Sequence, residues 1–516
     1  YLAGPYIWNQ MSNVIYRFER PDDLEALQIC KLSVAVVISC RGGQNKLDLT
    51  LASLAVQSYP SKLISVYIVD DGSEPALKLP KIRPAKVKLI NYKNDAKKWG
   101  KTKATNAVTA NLKEDVLWFV DADMVFDPDH LAHHMKWHHD SDDYAVLGWK
   151  RFVKEWSYNP NQLKQRLMAG EFLDLHEENW GKERWEERSI RTNDLRNPGM
   201  EGFRNFVGAT FSMHNKRWKE LGGYNQDLTT GEDTELGWRV QNSGLRMVAD
   251  RQAHSWHLGY STVEENKEEI SRHNNPALAQ LIPEMKSIRA NSKDRFQVSN
   301  YEVVLDVRNC NLARLQKLET ELLETPGTQA EFLLLGNWSD LKKRYSPVKD
   351  GLADLREIQN WLKGSPQYRF KDIGADAQVR IEEILDLFTV TATPFHLFAE
   401  TEFELNLKDL INHTLTKEFG LLGLANNQDR RAFALINPAL ARARRSKGET
   451  YANIAEQFGV HWMTYEKFLE VYDGKKSTVT RFARFIKREG KKINSPKQLA
   501  LFIGKILKLI KRKILK

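Results

Sequence analysis

Residues 116–131 read VLWFVDADMVFDPDHL. Five apolar residues run into Asp121 and Asp123, separated only by Ala122. Such a run is a buried strand, and a buried strand ends on two carboxylates only where something offsets their desolvation. Upstream, LSVAVVISC from Leu32 is a second buried strand, rich in β-branched residues. LDLTLASLAVQSYP follows with apolar residues at helical spacing and is expected to run to Pro60. ISVYIVDDGS is another strand, closing on Asp70, Asp71, Gly72 and Ser73. VKLINY is a short third strand, and GKTKATNAVTANL is a helix after Gly100. Strands alternating with helices predict a parallel α/β sheet. Ligands of such sheets sit beyond the carboxyl ends of the strands, where Asp71, Asp121 and Asp123 all fall.

The chain has 516 residues, too many for one ordinary core, so two or more domains are expected. Apolar residues make up 41% and charged residues 28%, the balance of a globular protein. Cys30, Cys40 and Cys310 match no zinc spacing and support no disulfide framework, which favours a reducing compartment. No apolar run reaches the roughly 18 residues of a membrane span. The chain opens on Tyr1 rather than Met, and the true N-terminus is left open. The net charge is +10, but Gly474–Lys516 alone carries fifteen Lys and Arg against Glu489. The rest is mildly acidic, so nucleic acid is not an expected partner.

From about residue 296 the pattern repeats. YEVVLDVRNCNLARLQKLETELLETPGTQAEFLLLGNWS copies the first strand–helix–strand, with LGNWS in place of IVDDGS. FAETEFELNLKDL (398–410) lies on FVDADMVFDPDHL (119–131) without a gap, Glu400 on Asp121 and Glu402 on Asp123. This predicts a duplicated domain.

Two carboxylates one residue apart at a strand end can hold a hard divalent cation that also grips a diphosphate, although a lone Asp-x-Asp is as often a turn or cap. Context decides. SVAVVISCRGG, IVDDGS, GKTKATN, FVDAD, LGGYNQDL, GEDTELGWR and WHLGY occur in that order. Over residues 32–262 the chain resembles the family 2 glycosyltransferases of GT-A fold. GEDTELGWRV followed by WHLGY is most similar to metal-dependent inverting members that build cell-surface glycans, among them galactofuranosyl, chondroitin-type and N-acetylgalactosaminyl transferases.

The resemblance implies a site, residue by residue. Asp71 binds the nucleotide base with Asp70 beside it, and Ser39 to Arg41 line the base pocket, with SCR replacing the usual Pro-Thr-Tyr. Thr105 stands where the family often has Arg, so Lys101 or Lys103 supplies positive charge to the diphosphate. Asp121 contacts the ribose or sugar and joins the metal site, whose ligands are Asp123 and His257, for Mn²⁺ or Mg²⁺. Asp233 is the catalytic base, and Glu232 orients the acceptor or the base. Read on their own, Glu232 and Asp233 are also favourable charges at a helix start, each worth under about 1 kcal/mol. His257 alone would be read as a core histidine.

The implied architecture is an N-terminal extension (1–30), a catalytic GT-A domain with a Rossmann-like sheet (31–295), a degenerate GT-A-like α/β domain (296–472) and a basic amphipathic tail (473–516). The second copy lacks a counterpart of Asp233, so it is read as serving acceptor binding, scaffolding or homo-oligomer contact. HLAHHMKWHHD, with His130, His133, His134, His138 and His139, is read as a polar helix face rather than a zinc site. Trp156, Trp180 and Trp185 are equally suited to stacking on acceptor sugars and to packing. In the tail, Leu499, Phe502, Ile503, Ile506, Leu509 and Ile510 share a stripe flanked by lysines, the pattern of a helix lying on anionic membranes. The expected function is transfer of a sugar from a nucleotide-sugar, a UDP-sugar by preference, to a surface polysaccharide, lipid-linked glycan or teichoic-acid-like polymer, at the cytoplasmic face of the cell membrane. The alternatives are a polymerase with two active GT-A sites and a non-catalytic glycan-binding scaffold.

Overall fold

Strand β1 (Val34–Cys40) is buried on both faces, as strands are when helices cover a sheet on either side. In the computed structural model, which describes residues 21, 23–92, 100–171, 184–259, 266–292, 295–389, 392–401, 407–417, 419–425 and 431–468, β1 lies parallel to β2 (Ile64–Asp70) on one side. On the other it lies parallel to β4 (Val116–Asp121), with Ser39 opposite Val69 and Asp121. With β3 (Val87–Asn91), β5 (Met124–Phe126), β6 (Tyr144–Val153), β7 (Thr210–His214) and β8 (Arg246–Leu258), the sheet order is β3-β2-β1-β4-β7-β6-β8-β5. Adjacent residues of β4 serve opposite cores. Trp118 packs with Val36, Ile38 and Ile68, and Phe119 with Ala35, Val37 and Phe211. This period of two fixes the register, because a slip of one residue would exchange the two cores.

The helices of this half are α1 (Gln44–Leu54), α2 (Lys101–Thr109), α3 (His130–Asp140), α4 (Pro160–Ala169), α5 (Arg184–Arg191), α6 (Asn215–Leu221), α7 (Glu232–Asn242) and α8 (Lys267–Leu281). Helix α1 stops at Leu54, short of Pro60: the Val56 N–H turns to the Ser53 carbonyl at 3.4 Å, and the Ser58 N–H goes to the Pro128 carbonyl at 2.8 Å. The histidine run corrects another expectation. His130, His134 and His138, at i, i+4 and i+8, share one helix face, and that face is buried. His130 Nε2 is 2.9 Å from Thr210 Oγ1, and the rings of His134 and His138 both reach Ser212 Oγ, at 2.8 and 2.7 Å. Burial pushes His130 down to about 3 and holds the other two well below the ordinary imidazole value. They are neutral core residues, not a solvated face.

A second sheet contains β9 (Tyr301–Asp306), β10 (Ala330–Gly336), β11 (Tyr368–Asp372), β12 (Phe395–Glu400), β13 (Leu421–Ala425), β14 (Arg431–Ile436) and β15 (Val460–Thr464), with α9 (Leu312–Leu322), α10 (Ala353–Leu362), α11 (Leu407–Lys417) and α12 (Asn437–Arg445) around it. Its strands β11-β10-β9-β12-β14 repeat the order β3-β2-β1-β4-β7. Glu400 stands opposite Asp306 as Asp121 stands opposite Ser39. Strand order and register thus agree with the duplication read from the sequence.

The chain forms two compact units. The larger, Tyr1–Leu422 with Phe433–Val460, holds the first sheet and β9 to β12. The smaller combines Gly423–Ala432 with His461–Lys516, and in it Gly423 lies so close to the Trp462 ring that a side chain there would collide. Most of the N-terminal extension, Trp180, Glu402 and the basic tail lie outside the described residues.

Candidate active site

The carboxyl edge of the first sheet collects residues far apart in sequence. Asp121 is the last residue of β4, and Asp123 follows in the turn to β5. Strand β5 pairs antiparallel with β8, Met124 opposite His257. That pairing carries the imidazole to Asp123, with His257 Nε2 3.4 Å from Asp123 Oδ1. One ligand atom each from Asp121, Asp123 and His257 lies within 4.8 Å of the others, the one such group among the described residues. His257 Nδ1 sits 2.9 Å from the Gly259 carbonyl. A carbonyl only accepts, so Nδ1 carries a proton and Nε2 is the ring nitrogen turned toward the carboxylates, the one a metal would take. Two carboxylate oxygens and an imidazole nitrogen suit Mn²⁺ or Mg²⁺, so these residues fit the cation that the resemblance implies.

Lys101, at the start of α2, joins this group to the next. Its Nζ is 3.3 Å from Asp121 Oδ1 and 3.4 Å from Glu232 Oε1. Burial works against its charge, but Asp121, Asp233 and Glu232 outweigh it and hold the ammonium well above the usual lysine value. Burial would also raise Asp121, yet Lys101 and His257 draw it below the ordinary range. Burial dominates at Asp123 and raises it, with Asp121 adding to the effect and His257 opposing it.

Asp233 is the second residue of α7, which begins after Gly231 in a left-handed conformation. Its Oδ2 accepts from the Gly208 N–H at 2.9 Å, and Tyr224 Oη lies 3.4 Å from Oδ1. Burial first, and the charge of Glu232 second, push the Asp233 carboxyl up to about 7. That is the range in which a general base works best at neutral pH.

Three residues of this arrangement were not found by sequence reasoning. Gly208 leaves room for the Asp233 carboxylate, since a Cβ there would strike it. Tyr224, within LGGYNQDL, is placed by Asn106, whose amide donates to the Tyr224 carbonyl at 2.8 Å and accepts from its N–H at 3.0 Å. Only for Asn106 and Tyr224 did a quoted motif contain the residue, and it assigned neither a role.

The nucleotide-side residues divide. Asp71 is buried, and its Oδ2 accepts from the Gly100 N–H at 2.8 Å, tying the end of β2 to the start of α2. Asp70 makes a turn, accepting from Ser73 N–H and O–H at 2.8 and 2.6 Å. Ser39 Oγ is 2.6 Å from Thr105 Oγ1, so the residue standing in for arginine completes a hydroxyl pair. Arg41 is exposed at the rim. Lys103 is exposed on α2, about 200° around the helix from Lys101, and only Lys101 of the two turns toward the acids. Trp185 is buried edge-on against Trp149 at 4.8 Å, and Trp156 packs on Trp256 at 6.0 Å, which is core packing.

The sheet and this edge define a GT-A domain. Residues 35–197 match the model of "Glycosyl transferase family 2", so this part of the chain is similar to that family. No curated protein matches the chain. Among solved structures it is similar to a mannosyltransferase from Pyrobaculum calidifontis in complex with GDP-Man and Mn²⁺, at 14% identity and a TM-score of 0.34 over 54% of this chain and 69% of that one. It is similar to residues 1–349 of S. aureus TarS in complex with UDP-GlcNAc, at 14% identity and 0.36 over 51% and 68%. It is also similar to GalNAc-T7 with UDP, GalNAc and Mn²⁺, at 17% identity and 0.32 over 45% and 44%. These are distant likenesses.

Proposed function

We propose that this chain is an inverting, metal-dependent glycosyltransferase that moves a sugar from a nucleotide-sugar, a UDP-sugar by preference, to a hydroxyl of a surface polysaccharide, lipid-linked glycan or teichoic-acid-like polymer. The observation that carries the reading is the convergence of Asp121, Asp123 and His257 within 4.8 Å, with Lys101 linking Asp121 to Glu232, the neighbour of Asp233, whose carboxyl is raised to about 7. A divalent cation on the first three residues would supply charge neutralisation for the departing diphosphate. Asp233, held by Gly208 and Tyr224, takes the proton of the acceptor hydroxyl as its oxygen bonds to the anomeric carbon and the bond to the diphosphate breaks. A single base facing the attacking oxygen favours inversion. Lys101 keeps Asp121 ionised and pairs with Glu232 on its other side.

A polymerase with two active sites is disfavoured by the second sheet, where Arg308 Nη2 lies 2.7 Å from Asp306 Oδ2 and its guanidinium is close enough to Glu400, the counterpart of Asp121, to feel its charge. No helix among the described residues is long and apolar enough to cross a membrane, and the basic tail is our candidate for docking on an anionic membrane face. The test is a panel of nucleotide-sugars screened for hydrolysis and thermal stabilisation with and without Mn²⁺. We expect one donor to be turned over and to stabilise the protein only with the metal. Failure of every donor in both assays would reject the function.

A further inference from the structure

Helix α7 carries Glu232 and Asp233 in its first turn and is eleven residues long, ending at Asn242, about 15 Å from its start. The last four carbonyls of a helix have no partner within it and must find one elsewhere. Here three are met locally. Arg239 O accepts from Ser243 N–H at 2.8 Å, Gln241 O from Gly244 N–H at 3.1 Å, and Val240 O from Ser243 Oγ at 2.8 Å. The fourth, Asn242 O, accepts from Asn437 Nδ2 at 3.0 Å, and Asn437 is the first residue of α12, from the second sheet's half.

Asn437 is fully buried and fixed from behind. Its Oδ1 is 2.7 Å from His396 Nε2, and His396 Nδ1 is 3.1 Å from Glu302 Oε2. Glu302 also accepts from the Thr389 N–H at 2.9 Å. The line Glu302–His396–Asn437 therefore runs from β9 through β12 to the end of α7, with every member buried. Further bonds from the same half reach α7 and the residue after it. Arg445 donates to Ser243 O at 2.6 Å, Trp238 Nε1 donates to Ala392 O at 3.0 Å, and Asn242 Nδ2 donates to Thr393 O at 3.2 Å. The Arg445 charge also suits the negative end of the helix dipole. Gly244, at φ 75°, lies against the Pro438 carbonyl so closely that a Cβ would collide with it.

We propose that the second α/β half acts as a clamp on the base-bearing helix, and that Asn437 is a positioning residue for Asp233; this rests on the function proposed above. An α-helix transmits a shift at one end to the other, and a misplacement near 1 Å can cost about 10²-fold in rate.

The test uses the full chain and Asn437→Leu, which keeps the volume and removes both polar contacts, with Gly244→Ala as an independent way to push the two halves apart. Amide hydrogen exchange along α7, kcat, donor KM and affinity for UDP with Mn²⁺ are measured on each. We expect faster exchange in residues 235–242 and a kcat lower by about tenfold or more, with KM and UDP affinity within about twofold of the parent, since Asp123, His257 and Asp71 are untouched. A helper of folding alone would lower melting temperature and leave kcat per folded molecule unchanged. Unchanged exchange in α7, or loosened exchange with unchanged kcat, overturns the clamp. Should Asn437→Leu not fold, Gly244→Ala decides by the same criteria. Should the parent transfer no sugar, the proposed function falls, and the exchange measurement still judges the clamp by itself.

Discussion

The same edge of the two sheets shows how one backbone plan can carry two different sets of side chains. In the first sheet, Asp121 faces Ser39 across the strand register, and its charge is shared with Lys101 and His257. In the second, Glu400 faces Asp306, and Arg308 closes over Asp306 with a two-pronged contact, Nε to Oδ1 at 3.0 Å and Nη2 to Oδ2 at 2.7 Å. The Asp306 contact, with Glu400 nearby, holds the guanidinium above its usual value despite burial. A carboxylate already matched by a fixed arginine fork has little left to offer a cation. The turn after the neighbouring strand tells the same story. Ser73 is held by Asp70, whereas Ser339 takes its bonds from Asp372 on the next strand, at 2.7 Å for its N–H. The turn survives although Gly336 has replaced the acid. Trp338, at the place of Gly72, folds back to donate to Leu334 O at 3.0 Å and is buried, filling what the first copy leaves open. The second half keeps the strand order and register and changes the side chains at its edge.

The sharpest way to break this contrast is Asp233→Asn. We expect kcat to fall by about 10²- to 10⁴-fold with UDP binding retained, as read by steady-state kinetics and calorimetry. The same change bears on stability. A folded-state pKa of about 7, above the unfolded carboxylate value, means the native state binds the extra proton. The carboxyl therefore destabilises the fold increasingly as pH rises from about 4 to 7. Melting temperatures of the Asn variant should match the parent at pH 4 and exceed it at pH 8.

Next in size, His257→Ala should weaken Mn²⁺ binding by more than the roughly 10- to 100-fold typical of residues one shell further out, seen as loss of the metal-dependent thermal shift. Gly208→Ala should lower kcat with little change in UDP affinity, because the added methyl displaces the base rather than the donor. The pH profile of kcat/KM should rise through about 7 and level above it, since only the ionised base accepts a proton; Asp233→Asn should remove that rise. The smallest effects on turnover belong to the second sheet. Glu400→Gln should leave kcat within about twofold, and a large loss would revive a second active site. Arg308→Met should cost about 1–3 kcal/mol in urea unfolding, discounted for its partial exposure, by stranding Asp306, with specific activity unchanged.

Much of the first half was legible because its signals are local. A strand of apolar residues ending in Asp-x-Asp carries its own address, and GED before a helical run marks a helix start. The histidine run was misread because its residue types looked polar, although the spacing of His130, His134 and His138 already described one face. What decided their burial was Thr210 and Ser212 on β7, hydroxyls supplied by a distant strand. Gly208 was invisible for a related reason. A glycine in a strand-like stretch says nothing of the carboxylate that will press on it from 25 residues away. Arg308 was overlooked because a lone arginine two residues after Asp306 is unremarkable until the pairing of β9 with β12 brings Glu400 beside them.

From the sequence alone came the alternating strands and helices, the repeat and the identity of the acids, since periodicity and short motifs are properties of neighbouring residues. Tertiary structure alone determined that His257 meets Asp123, that Lys101 rather than Lys103 faces the acids and that Asn437 caps α7. Each of these depends on strand pairing or helix facing between segments far apart in the chain, and the free energy that selects such pairings comes from burial of the whole core.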